Sequence, residues 1–333
     1  MRAVVITEHG GPEVLEVRNV DEPAAEPGRI VVEVAAAGVN YRDVYERRGL
    51  GAYMAPTPIP AGVEGAGTVR EVGTGVREFR PGDHVVWWQA PGSYAEAVSV
   101  PAANAVHIPD ELTDEVAAAV LLQGMTAHYL ATSTYPVAEG DTVVVHAAAG
   151  GVGLLLTQIV KLRGGRVIAT TSTPEKAELA RQAGADKVIG YDGFSDRVRE
   201  LTGGPGVPAV YDGIGRSTFE EGLKSLRPRG YLVVYGSASG QPPPVELARL
   251  NEGSFFLTRP TLHHYTATRQ ELLERASEVF GWVADGRLRV RIGARYPLED
   301  ARRAHEDLEA RRTTGKLLLL PRSPIPPRPP SLP

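Results

Sequence analysis

The stretch Thr142-Val143-Val144-Val145-His146-Ala147-Ala148-Ala149-Gly150-Gly151-Val152-Gly153-Leu154-Leu155-Leu156 decides the reading of this chain. An apolar β-branched run leads into a glycine-rich turn, and the turn leads into an apolar helical start. Such a strand–turn–helix lets backbone N–H groups approach a pyrophosphate, with the positive end of the helix dipole aimed at its charge. A side chain at Gly150, Gly151 or Gly153 would obstruct the turn, the ligand approach or the close packing of helix on strand. Ala148 stands at the first glycine of the usual G-x-G-x-x-G, so the motif alone is weak and its context carries it.

The next predicted strand, Arg166-Val167-Ile168-Ala169-Thr170, follows the helix as a βαβ unit requires. A site for NAD places Asp or Glu at the end of this strand, on the ribose hydroxyls. Here the chain continues Thr170-Thr171-Ser172-Thr173-Pro174-Glu175-Lys176. Hydroxyls and a lysine can hold a 2′-phosphate that a carboxylate would repel, so NADPH is the expected cofactor. Glu175 falls in the first turn of the following helix, where an acid complements the dipole. Ser172 or Thr173 can serve as that helix's cap without any ligand, and Lys176 as a surface charge.

Composition bounds the function. The 333 residues are 42% hydrophobic and 23% charged, enough for two domains with full cores. A net charge of -4 points to neither nucleic acid nor a membrane surface as partner. No apolar run approaches the roughly 20 residues that span a bilayer, and Met1-Arg2 leads straight into a predicted strand, so a cytoplasmic location is expected. The chain has no cysteine, which excludes disulfides, a catalytic thiolate and thiolate-bound zinc. Its eight histidines are scattered, and no metal is expected.

The first 125 residues read as β-rich. Ala3-Val4-Val5-Ile6, Val14-Leu15-Glu16-Val17, Ile30-Val31-Val32-Glu33-Val34, Gly67-Thr68-Val69-Arg70-Glu71-Val72 and His84-Val85-Val86-Trp87-Trp88 are short strands between Gly/Pro turns, as in a small partly closed barrel. A helix is predicted over 113–131, capped by Thr113. Strands at 143–145, 167–169, 187–189, 209–211 and 231–235 then alternate with helices, the pattern of a doubly wound parallel sheet. An edge strand at 254–258, helices at 268–285 and 299–311, and a last strand at 317–320 follow. The tail 321–333 is proline-dominated and is expected to be disordered.

Taken in order, a set of segments resembles one family along nearly the whole chain. These are Gly38-Val39-Asn40-Tyr41-Arg42-Asp43, Gly62-Val63-Glu64-Gly65-Ala66-Gly67, Gly82-Asp83-His84-Val85, Gln123-Gly124-Met125-Thr126-Ala127, the run from His146 to Gly153, Tyr211-Asp212-Gly213-Ile214-Gly215, Thr258-Arg259-Pro260 and Ala304-His305-Glu306-Asp307-Leu308-Glu309. The chain resembles the medium-chain dehydrogenase/reductase superfamily, in its zinc-free, ζ-crystallin-like quinone oxidoreductase branch. The implied fold is α/β: a GroES-like β-barrel domain, formed by 1–125 with 262–320, and a Rossmann domain over 126–261. Zinc-dependent members carry a Cys and a Gly-His-Glu motif; here Val63 stands at that histidine and no cysteine exists.

The resemblance also implies a site, with the nicotinamide in a cleft between the domains. Asn40, Tyr45 and Thr126 match positions lining the nicotinamide or substrate, and Gly150, Gly151 and Val152 match the pyrophosphate turn. Ser172, Lys176 and Tyr191 match the adenosine and 2′-phosphate pocket. Tyr235, Gly236, Ser237 and Ala238, with Phe256, Leu257 and Thr258, match loops around the nicotinamide ribose and carboxamide, and Lys316 lies close to the cofactor. Gln123 and Ser237 depart from residues that some relatives carry. Asn40, Tyr45 and Tyr53 are the catalytic candidates, the two phenols offering a flat wall for a quinone and hydroxyls for its oxygen.

NADPH-dependent quinone reduction is the activity this implies, with reduction of enones or 2-alkenals as the alternative. A non-catalytic NADPH-binding role belongs to a different class. A homodimer through the edge strand near Phe255 to Thr258 is expected, since that edge would otherwise expose unpaired backbone and aromatic rings.

Overall fold

The computed structural model describes residues 1–322, so the tail expected from 321 lies outside the described residues except for Pro321 and Arg322. The chain divides into two compact units. The first comprises Met1–Ala119 and the C-terminal segment from Ile292; the second is Val120–Arg291.

The first unit opens with β1 (Arg2–Ile6), β2 (Leu15–Asn19), β3 (Arg29–Val39) and α1 (Tyr41–Arg47). It continues through β4 (Ile59–Pro60), β5 (Gly65–Val72), β6 (His84–Trp87), β7 (Ala97–Pro101) and β8 (Ala105–His107). Helix α2 (Asp114–Tyr129) carries the chain into the second unit. There β9 (Thr142–Val145), α3 (Gly151–Leu162), β10 (Arg166–Thr170), α4 (Pro174–Gln182) and β11 (Lys187–Ile189) alternate. The alternation goes on with α5 (Phe194–Leu201), β12 (Val207–Asp212), α6 (Phe219–Lys224), β13 (Leu226–Val234) and β14 (Phe256–Thr258). After α7 (Leu262–Tyr265) and α8 (Arg269–Ala284), β15 (Ile292–Pro297), α9 (Ala301–Glu309) and β16 (Lys316–Leu320) belong to the first unit again.

In the first unit β3 is the hub, paired antiparallel with β5, β7 and β16. The sheet runs β15-β16-β3-β5-β6-β8, and a smaller sheet runs β2-β1-β4. Ile30, Val32 and Val34 of β3 alternate into a core with Val69, Val85, Trp87, Leu317 and Leu319. One register sets up the chemistry: Leu317 pairs with Val39 and Leu318 with Gly38, which brings the start of β16 beside Asn40.

In the second unit six parallel strands run β11-β10-β9-β12-β13-β14. Counted in chain order within the unit this is 3-2-1-4-5-6, the Rossmann order. Helices on both faces explain why β9 is a continuous apolar run, with Val143, Val144 and Val145 wholly buried.

The boundaries differ from those read in the sequence. The structure divides at 119/120 and 291/292 rather than 125/126 and 261/262, so α7 and α8 join the second unit. Contacts with α2 hold α8 there. A Cβ at Gly124 would lie 2.6 Å from Val279, and Arg275 donates to Ser133 at 3.1 Å. His128 Nε2 lies 2.7 Å from Glu278, while its Nδ1 faces the Arg275 guanidinium at 2.9 Å. Since Arg275 can only donate, Nδ1 accepts and the imidazole is neutral, in keeping with the burial that lowers its pKa. The short strands β4, β7, β8 and β15 have little alternation of their own and arise from pairing.

Candidate functional site

At the end of β9 the chain turns through His146 and Ala147, whose φ of 49° is in the left-handed region unusual for alanine. The turn is tied down internally. Gly150 N donates to Ala147 O at 2.9 Å, Ala148 N to Thr170 O at 3.2 Å, and Ala147 N to the Tyr191 hydroxyl at 3.2 Å. Gly150 is the N-cap of α3 with no side-chain cap. The first-turn N–H groups of Gly151, Val152 and Gly153 have no earlier helical carbonyl to bond, which makes them a candidate anion cradle at the dipole's positive end. Gly153 is demanded by packing: a Cβ there would lie 2.7 Å from Ala148 Cα and closer still to the Ala147 carbonyl oxygen. At Gly150 the same test meets only that oxygen, at 3.2 Å.

Strand β10 ends in buried Thr170, whose Oγ1 lies 2.8 Å from His146 Nδ1. Burial holds the His146 pKa below its usual value. Ser172 is exposed and Lys176 half-buried. Thr173 caps α4, its Oγ1 accepting from Lys176 N at 3.3 Å, so the capping role falls to Thr173. No carboxylate stands at the end of β10; Glu175 lies one turn on, its pKa lowered by backbone N–H and by Thr173.

Asp212, wholly buried at the end of β12, organises the neighbouring loops. Its Oδ1 accepts from Ile214 N at 2.7 Å and Gly215 N at 3.0 Å, and its Oδ2 accepts from Thr218 at 2.8 Å. The Asp212 carbonyl accepts from Tyr235 N at 2.9 Å and Gly236 N at 3.3 Å. A Cβ on Gly236 would lie 2.6 Å from Gly213 O, so the loops after β12 and β13 interlock at backbone distance. Buried Ser237 and the half-buried Tyr235 and Ala238 sit on this scaffold. Phe256 on β14 is 49% exposed and stacks on Tyr231, centroids 4.4 Å apart, with Leu257 and Thr258 half-buried beside it. Thr126 on α2 is buried and its hydroxyl donates to Leu122 O at 2.7 Å.

In the first unit, α1 carries Asn40 as its N-cap and Tyr45 one turn further. Asp43 closes a capping box by accepting from Asn40 N at 3.0 Å. The same Asp43 Oδ2 accepts from the buried Tyr94 hydroxyl at 2.7 Å, and burial together with that carboxylate pushes the Tyr94 pKa well up. Tyr45 and Tyr53 meet with ring centroids 5.7 Å apart, tilted by 43°, and the Arg42 guanidinium lies 5.6 Å from the Tyr53 centroid. Met54, one residue after Tyr53, is 68% exposed. Lys316 and Glu64 form a buried ion pair, and both hydrogen-bond to Asn40.

The predicted residues thus divide between the units: Asn40, Tyr45, Tyr53 and Lys316 in the first, all others in the second. Lys316 is 3% exposed, and its ammonium donates to Val39 O at 3.2 Å, to Asn40 Oδ1 at 2.9 Å and to Glu64. Its three N–H bonds are therefore used inside the unit. Sequence reasoning gave no role to Glu64, Asp43 or Asp212. A charged residue inside the apolar glycine run 61–67 was the available signal for Glu64.

Zinc does not fit this framework. Val63 is buried where a histidine ligand would stand, and Glu64 is neutralised by an ammonium group. Among the described residues no three His, Cys, Asp or Glu side chains gather as a metal site. A dinucleotide fits, because the α3 cradle is preformed and the end of β10 bears no repelling carboxylate.

A Rossmann unit with an anion cradle, joined to a β unit that presents aromatic rings, defines the class as a two-domain dehydrogenase fold. The alcohol dehydrogenase GroES-like domain family matches residues 26–110, and the zinc-binding dehydrogenase family matches 151–281. The quinone oxidoreductase of Pseudomonas aeruginosa is 45% identical over 318 residues, covering 94% of this chain and 97% of that protein. The 2-haloacrylate reductase of a Burkholderia species is 39% identical, covering 96% and 99%. The solved structure of a mycobacterial protein complexed with NADPH superposes with a TM-score of 0.94 at 50% identity, covering 96% of this chain and all of that one. The chain belongs to the medium-chain dehydrogenase/reductase superfamily, in its zinc-free quinone oxidoreductase branch. Among the described residues no helix is long and apolar enough to cross a membrane.

Proposed function

We propose that this chain reduces quinones with NADPH, without a metal. The observation that carries the reading is the pairing of a carboxylate-free adenosine strand end with a unit whose would-be metal carboxylate is neutralised by Lys316. The near full-length likeness to a quinone oxidoreductase supports the same acceptor class.

Bound NADPH would supply a hydride, and with a proton from solvent this balances the two-electron reduction of quinone to hydroquinone. The first turn of α3 would hold the pyrophosphate at Gly150, Gly151 and Val152. Ser172, Lys176 and Tyr191 would take the adenosine and its 2′-phosphate. The loop over Tyr235, Gly236, Ser237 and Ala238, with Phe256, Leu257 and Thr258, would receive the nicotinamide ribose and carboxamide, with Thr126 beside them. In the first unit Tyr45 and Tyr53 provide a flat wall and hydroxyl donors for the quinone oxygen as charge develops on it. Asn40 orients the reacting group through its amide.

Reduction of a conjugated C=C bond is the second reading, favoured by the 39% identity to 2-haloacrylate reductase. Two copies pair through β14, whose outer edge carries the exposed Phe256.

Purified protein titrated with NADPH and NADH, then assayed with and without 1,4-benzoquinone and a simple enone, tests all of this. Tighter NADPH binding and quinone-stimulated oxidation are expected. Turnover with the enone alone would transfer the function to alkene reduction, and NADPH binding without turnover on either would make the chain a non-catalytic binder.

A further inference from the structure

We infer that Lys316 and Glu64 are positioning residues that lock the Asn40 amide in one of its two orientations. The inference rests on the quinone-reductase reading for its kinetic consequence, though its geometry stands apart from that reading. Asn40 Oδ1 accepts from Lys316 Nζ at 2.9 Å, while Asn40 Nδ2 donates to Glu64 Oε1 at 2.7 Å and to Gly38 O at 3.2 Å. Lys316 Nζ also donates to that same Glu64 Oε1, closing a three-residue ring.

The ring selects an orientation because its members are chemically one-sided. An ammonium group only donates and a carboxylate only accepts, so the amide oxygen must face Lys316 and the amide nitrogen must face Glu64. A flipped amide would set N–H against N–H and oxygen against oxygen in a site where water cannot compensate, Lys316 and Glu64 being 3% and 1% exposed. The ring is also built to close tolerance. A Cβ on Gly38 would lie 2.6 Å from Lys316 Cε and closer to the Glu64 carboxylate, so β3 leaves room for these side chains only by lacking one of its own there. Glu64 Oε2 is buried with no hydrogen-bond partner among the described residues. The carboxylate therefore relies on the ammonium for its charge balance.

Removing the ammonium alters this logic. In the double variant Lys316→Met with Glu64→Gln, a neutral amide that both donates and accepts stands in place of the carboxylate. It can bond either end of the Asn40 amide, so the ring no longer selects an orientation and the choice is left to the Gly38 carbonyl and the Asp43 backbone N–H. A purely structural ion pair makes a different forecast, since replacing both partners by neutral groups of similar volume restores stability and everything that depends on it.

The test compares wild type, Lys316→Met and the double variant Lys316→Met with Glu64→Gln. Thermal unfolding, NADPH affinity, kcat with 1,4-benzoquinone and hydrogen exchange of the ¹⁵N-labelled Asn40 side-chain amide are measured on each. The single variant is expected to lose stability and the double variant to regain it. In the double variant kcat should nevertheless stay at least ~10-fold down, with NADPH affinity within about 3-fold of wild type, the signature of lost orientation. Amide exchange should be faster in both variants. A double variant with wild-type kcat, or with wild-type amide exchange, overturns the inference. If wild type shows no quinone turnover, the functional reading fails and amide exchange alone decides the inference.

Discussion

Lys176 tests cofactor choice at the scale of one residue. It is half-buried in the first turn of α4, near the end of a strand with no carboxylate, and its own backbone N–H serves the Thr173 cap. Its ammonium is the cation assigned to the 2′-phosphate. Lys176→Ala should weaken NADPH binding about 10-fold while changing NADH binding less than about 2-fold, since one charge-assisted contact is worth roughly 1.5–3 kcal/mol and NADH lacks the phosphate. Equal losses for both nucleotides in a fluorescence titration would remove Lys176 from the pocket. Gly153 makes the opposite kind of demand: it is required for the space its missing side chain leaves against Ala147 and Ala148, whatever binds above.

At the scale of elements, the loop after β12 depends on one carboxylate. Asp212→Ala would leave the buried N–H groups of Ile214 and Gly215 without an acceptor, at about 1–3 kcal/mol each. Asp212→Asn keeps an oxygen for both, and its amide nitrogen can donate to Thr218 Oγ1, which still reaches Gly215 O. Urea unfolding should therefore show a loss of several kcal/mol for the alanine variant and under about 1 kcal/mol for the asparagine variant. Helix α9 offers a second case. Burial, then the nearby Arg47 charge, lower the His305 pKa from 6.5 to about 3. The folded state thus holds His305 neutral, and its contribution to stability is present above the unfolded pKa near 6.5 and lost as pH falls towards 3. That loss is on the order of 5 kcal/mol across the window. Unfolding measured from pH 7 to pH 4 should fall less steeply for His305→Gln than for wild type; parallel curves would mean that other groups govern acid lability.

For the whole molecule, the test concerns the edge of the second unit's sheet. Among the described residues β14 pairs only with β13, and Phe256 stacks on Tyr231 while remaining half-exposed. Light scattering at micromolar concentration should report a dimer, and Phe256→Asp should shift it to monomer. A wild-type monomer would leave the edge for another partner. The assembly matters for interpretation, because a dimer's apparent stability varies with protein concentration.

Much of this protein follows from local sequence. The Val143 to Val145 run, the glycines behind it and the alternation of strands and helices determine a Rossmann unit, because apolar periodicity and a turn of small residues are properties of adjacent residues. The absence of cysteine determines that no thiolate can hold a metal. Tertiary structure decided what depends on contacts between distant residues. Helix α8 joined the second unit because His128, Gly124 and Ser133 on or beside α2 meet it, 142 to 155 residues away in the chain. Lys316 acquired Glu64 and Asn40, 252 and 276 residues distant, through the register of β16 on β3. A charge buried by such a register has no local signature, since its partner is chosen by the sheet and not by its neighbours in sequence.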